Sequence, residues 1–117
     1  MITVKATREG LVGHSTASGY VIDRVVPYVA LPCRQALCMF VRLRNPANGR
    51  TAIAWIADVG PWNTDDDAYV FGGARPAAES GTDTRNRVTN GAGIDLGERV
   101  WRDLGMTDNG AIEWEFV

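Results

Sequence analysis

Between Ile2 and Thr7 apolar and polar residues alternate, with Ile2, Val4 and Ala6 set against Thr3, Lys5 and Thr7. That period predicts a half-buried strand, which Arg8-Glu9-Gly10 then turns. Gly13-His14-Ser15-Thr16-Ala17-Ser18-Gly19 is small and polar, a loop suited to close approach rather than a packed element. Tyr20 to Pro27 carries β-branched residues but is interrupted by Asp23-Arg24, and Tyr28 to Leu31 is a short apolar piece ended by Pro32. Leu37 to Arg44 starts apolar and ends alternating. With the returning run Arg50 to Ala57 it predicts a hairpin, because Asn48-Gly49 in the turn between them supplies the positive φ that tight turns need.

The apolar run Ala54-Trp55-Ile56-Ala57 ends in Asp58 and is stopped by Gly60-Pro61, which cannot continue a ladder. Asp58 is therefore expected at a strand end, where the chain leaves the core. Asp95 has similar surroundings, in Gly93-Ile94-Asp95-Leu96, and leads into a helix over Gly97–Leu104. Leu96, Val100, Trp101 and Leu104 share one side of that helix, and Gly105 stands where a C-terminal cap belongs. Gly110 to Val117 alternates again and predicts a closing strand with Ile112, Trp114 and Phe116 inward. Trp55 and Trp101 are also expected in the core.

From Trp62 to Asn90 neither period is sustained, and a structureless stretch this long is usually functional in a compact domain. Asn63, Asp65 and Asp67 alternate like the first ligands of a calcium loop. Ala68 and Ala74 stand where its glycine and closing glutamate belong, so an EF-hand is rejected in favour of a short helical turn with a solvated acidic face. The expectation is a single domain, 1–117, whose residues 62–90 form a long loop insertion flanking a groove.

The chain has 117 residues and a net charge of −2, and its one lysine stands beside eleven arginines. Neither the balance nor any basic cluster points to nucleic acid. No segment approaches the roughly 20 apolar residues needed to cross a bilayer, and the N-terminus lacks the apolar core of a signal peptide. Cys33 and Cys38 either close a small disulfide loop or stand as two buried thiols. His14 is the only histidine, and one histidine cannot build a zinc site alone. No metal or cofactor is expected, and the chain is expected to be a monomer.

Five motifs in order, Thr16-Ala17-Ser18-Gly19, Ala30-Leu31-Pro32, Val41-Arg42-Leu43-Arg44-Asn45, Asp58-Val59-Gly60-Pro61 and Ile94-Asp95-Leu96, resemble the double-psi β-barrel domain of the rare lipoprotein A family. The wider group includes expansin N-terminal domains, barwin-like proteins and family 45 glycoside hydrolases. Two departures stand out. Val59 replaces an arginine in the Asp-Arg-Gly-Pro pattern, and Gly97 replaces the serine that usually follows Ile-Asp-Leu.

The resemblance implies a mainly β fold, a six-stranded barrel with one or two short helices, and chemistry or binding on peptidoglycan or another polysaccharide. In a lytic transglycosylase one carboxylic acid protonates the glycosidic oxygen, and a neighbouring carboxylate helps to raise its pKa. The resemblance places Asp95 as that acid, with Asp58 in support, Thr16 and Ser18 in the groove and His14 beside them. Trp62 and Tyr69 are candidate sugar-stacking faces. A non-catalytic expansin-like binding or wall-loosening module is the alternative, and a structural domain of a phage or secretion assembly is a third. The implied location is the cell envelope or the exterior, if the chain is exported, or a phage- or secretion-associated one.

Overall fold

Six strands account for the alternating and apolar runs. In the computed structural model, which describes residues 1–117, they are β1 (Ile2–Arg8), β2 (Tyr28–Leu31), β3 (Phe40–Arg44), β4 (Thr51–Val59), β5 (Ile94–Leu96) and β6 (Gly110–Phe116). They close in the order β1-β5-β2-β4-β3-β6, a mixed barrel of the double-psi type. β1 with β5 and β2 with β4 are parallel, and the other four pairings are antiparallel. Two short helices, α1 (Asp67–Val70) and α2 (Glu98–Asp103), complete the fold.

Alternation sends Val4, Ala6, Val41, Leu43, Ala54, Ile56, Ile112 and Trp114 into one buried cluster. Phe116 is only half-buried at its margin. β2 is buried on both faces, because a second, smaller cluster covers the outside of the barrel there. It joins Ile22, Tyr28 and Ala57, with Tyr20 and the half-buried Trp55 packed on it. That outer layer is the Tyr20–Pro27 segment. It is no strand, because Asp23 Oδ1 accepts the N–H groups of Val25 and Val26 and folds the segment into a side-chain-capped turn.

α2 begins after Gly97 and ends before Gly105, whose φ of 66° closes the helix. Gly97 has a packing reason. A Cβ built on it would lie 2.3 Å from Cε1 of the buried Tyr28 ring, so serine cannot stand here without displacing that ring.

Two expectations need correction. The cysteines are free thiols, and Cys33 is buried while Cys38 is exposed. The 62–90 segment is not structureless. α1 delivers Tyr69 and Val70 into the main core, 1% and 4% exposed, and a 3₁₀ turn at Ala77–Ser80 buries Ala78. The acidic residues at the start of α1 are surface-facing, with Asp65 just before it and Asp67, its first residue, exposed. No helix is long and apolar enough to cross a membrane.

Candidate functional site

Strand register assembles the site. Ala30 of β2 is the Cα partner of Asp58 on one side and of Asp95 on the other, and Asp95 in turn pairs with Thr7 of β1. Thr7, Asp95, Ala30 and Asp58 thus form one row across four adjacent strands. A bulge makes this possible. Ile56 points into the core and Ala57 onto the outer cluster, so strict alternation would return Asp58 to the interior. The register shift between Val29 and Ala30 gives β4 an extra residue and sets Asp58 beside Asp95, on the outer face.

Each carboxylate in the row is held. Asp58 Oδ1 accepts N–H groups from Ala17 and Val59, both at 2.9 Å. The Thr7 hydroxyl donates to Asp95 Oδ1. Burial raises the Asp95 pKa to about 6, with the negative charge of Asp58 adding to the effect and the Thr7 hydrogen bond opposing it.

A third carboxyl group, which the sequence did not single out, completes the cluster. Glu9 follows β1 directly, and its backbone N–H donates to Leu96 O at 2.9 Å. Its Oε2 is buried and meets no donor. The Glu9 side chain neighbours the Asp58 carboxylate, and two carboxylates meet without a hydrogen bond unless one carries a proton. Burial, then a hydrogen bond to Asp58 and repulsion by its charge, push the Glu9 pKa up to about 8. At neutral pH Glu9 therefore keeps its proton and can donate it to Asp58. The signal in the sequence is the spacing Thr7-x-Glu9, which puts both side chains on one face of an extended strand. The partner of that face lies 88 positions away, in β5.

The other expected residues lie as follows. The Thr16 hydroxyl donates to Tyr20 O at 2.9 Å and lies 3.0 Å from Ser18 Oγ, so both side chains brace their own loop. Ser18 N–H donates to Ala57 O, which fixes that loop against the bulge beside Asp58. His14 is exposed. Trp62 is half-buried, donates from Nε1 to Asn90 Oδ1 at 2.9 Å, and carries the Arg87 guanidinium over its ring at 5.7 Å. Tyr69 offers no face to a ligand. It is buried, accepts from Trp114 Nε1 at 2.8 Å and donates to Gly93 O at 2.9 Å. Its place as a stacking residue is withdrawn, because a helical turn in the insertion points it inward. No group of side chains is arranged to hold a metal ion.

The fold has relatives among solved structures. Cerato-platanin 3 from M. perniciosa superposes with a TM-score of 0.60 at 12% identity, covering 99% of this chain and 94% of that one. The Streptomyces papain inhibitor superposes with a TM-score of 0.56 at 18% identity, covering 97% and 92%. At such identities the likeness is one of fold alone. No curated protein matches the chain. A family model does match it, over residues 1–115, and the chain thereby belongs to the family described as "Domain of unknown function (DUF8814)".

Proposed function

We propose that this chain is an expansin-like module that binds cell-wall polysaccharide, peptidoglycan or a related glycan, without cutting it efficiently. One observation carries the reading. Register lines up three half-buried polar side chains, Thr7, Asp95 and Asp58, across the outer face of the barrel around the buried Ala30, with the half-buried Glu9 next along the chain from Thr7. Strands spaced by about 4.8 Å set out hydroxyl and carboxyl groups at regular intervals, suited to successive sugar hydroxyls. A protonated Glu9 supplies a donor and Asp58 an acceptor, so both sides of a sugar hydroxyl can be met. The place of action on this reading is the cell envelope or the exterior.

Cleavage by a lytic transglycosylase is the second reading, and one observation favours it. Asp95, held at about 6 next to a second carboxylate, is poised as a general acid and base. Co-sedimentation of the full chain with peptidoglycan, chitin and cellulose, followed by mass spectrometry of the soluble products, separates the readings. The binding module predicts retention on a glycan and no new ends, with retention weakened in Asp95→Asn. Anhydro-muropeptides that vanish in Asp95→Asn would establish the transglycosylase instead. A chain that sediments with no glycan would favour the structural domain of an assembly.

A further inference from the structure

A cavity of about 400 Å³ opens beside the acid row, lined by Ala17, Arg34, Leu37, Val59, Thr64 and Arg85. Two hydrogen bonds link it to the row. Ala17 and Val59 are the two residues whose N–H groups hold Asp58, so they form a wall with Asp58 on one side and the cavity on the other. Leu37, Val59 and Ala17 make part of the lining apolar, while Thr64 contributes a hydroxyl and the two arginines contribute positive charge.

Arg85 stands apart from the other arginines. Seven of the eleven are salt-bridged. Of Arg24, Arg50, Arg85 and Arg102, which are not, only Arg85 lines a cavity. Its side chain makes no hydrogen bond, yet the turn that carries it is tightly built. Asp83, whose side chain is fully buried, accepts the backbone N–H groups of Arg85 and Arg87 at 2.9 Å and the Arg87 Nε at 2.6 Å. Asn63 Oδ1, also buried, accepts Thr84 N–H at 3.1 Å. Asn86 takes the left-handed conformation, with φ of 59°. Such a scaffold fixes the backbone from which the Arg85 side chain extends into the cavity lining, and the guanidinium has no counter-charge. Across the cavity Arg34 reaches Asp65 Oδ2 at 2.8 Å, but that pair is 64% and 71% exposed and so is readily exchanged for another carboxylate.

We infer that this cavity is an anion subsite, and that the glycan bound at the acid row carries a carboxylate substituent which Arg85 and Arg34 grip. The inference rests on the proposed glycan binding and deepens it. A neutral sugar ring meets Thr7, Asp95 and Asp58, while its carboxylate turns away from those acids, over the Ala17–Val59 wall, towards the guanidinium groups. Such a carboxylate has two sources, a uronic acid in the glycan itself or the end of a peptide attached to it.

Titration calorimetry on the full chain with four probes tests this. The probes are an oligogalacturonide, a glycan strand bearing acidic stem peptides, the free stem peptide, and a neutral chito-oligosaccharide. One of the two acidic glycans should bind about tenfold or more tighter than the neutral one, since charge-assisted contacts to guanidinium are strong. Which one does so identifies the source. Arg85→Gln should remove that margin, leave the affinity for the neutral probe unchanged, and melt like the wild type. Arg85→Glu should repel the acidic probe outright. Equal binding of acidic and neutral probes, or a margin that survives both variants, overturns the subsite while leaving glycan binding intact. If no glycan binds but the free stem peptide does, with dependence on Arg85, the subsite stands and the glycan reading falls. Binding of none of them ends both.

Discussion

Glu9→Gln tests the proton shared in the acid cluster. Glutamine keeps the size of the side chain and can donate from its amide to Asp58, as protonated Glu9 does, but it cannot ionise. Glu9 has its ordinary value of 4.5 in the unfolded chain and about 8 in the folded one. The folded state therefore binds the proton more tightly, and stability must fall as pH rises between those values. Below 4.5 both states are protonated and no penalty exists; above about 8 the penalty is complete. The whole displacement would correspond to about 5 kcal/mol. Glu9 is only partly buried and water screens the site, so about 2 kcal/mol is the figure to expect.

Urea denaturation of wild type and Glu9→Gln at matched pH between 4 and 9 reads this directly, at each pH on the same m-value. The two proteins should be equally stable at about pH 4 and diverge through neutrality, with the variant ahead by about 2 kcal/mol at about pH 9. In thermal melts that is roughly 8 °C for a domain of this size. Asp95 adds a smaller decline common to both proteins, over the window from its ordinary 3.8 to about 6. Parallel pH profiles for the two proteins, or a variant that loses stability at high pH, would refute the shared proton.

Three further outcomes are expected. Gly97→Ser should cost about 3 kcal/mol in denaturant titrations, because its Cβ would meet the buried Tyr28 ring at 2.3 Å; a loss below about 1 kcal/mol would mean that the ring is free to move aside. Tyr69→Phe should cost about 2 kcal/mol by the same measurement, since it strips partners from the buried Trp114 Nε1 and Gly93 carbonyl, and an unchanged midpoint would contradict that geometry. Replacing residues 62–90 by a short turn should abolish cooperative unfolding, because it removes Tyr69 and Val70 from the core at a cost of about 6 kcal/mol, much of the stability of an ordinary domain. A sharp melt near that of the wild type would show the segment to be dispensable.

The strands, the Asn48-Gly49 turn and α2 were legible because each depends on local pattern: alternation, a left-handed turn residue, a glycine stop. Asp58 and Asp95 were legible as strand-end carboxylates, and the family resemblance placed them in one groove. Their alignment through Ala30 was not legible, since it depends on a bulge at Ala57 that leaves no mark on an apolar run. Glu9 looked like part of a turn because β1's partner in the site, β5, is remote in the chain and no local signal pairs them. Tyr69 was misplaced for a related reason. α1 has four residues, too short to show a helical period, so nothing in the sequence told its buried face from its exposed one.

The acid cluster is also where this protein departs from what stability alone would favour. Nearly every other buried polar group is paired: Asn45 donates to Leu104 O, Asn63 accepts from Thr84, and Asp83 takes two backbone N–H groups and an arginine. Glu9 Oε2 is the one buried side-chain oxygen without a partner. It sits at the place where two other carboxyl groups have been brought together on one face. A glutamine at position 9 would satisfy the same geometry with no pH-dependent penalty, and an isoleucine at 58 would suit the β-branched surroundings. Strain of this kind persists where ligand binding compensates for it. On the proposed reading, a carbohydrate hydroxyl that takes over the Glu9 proton while itself donating to Asp58 would supply that compensation, and so the row, rather than the apolar hollow around Met1, Ile2 and Phe116, is proposed as the site.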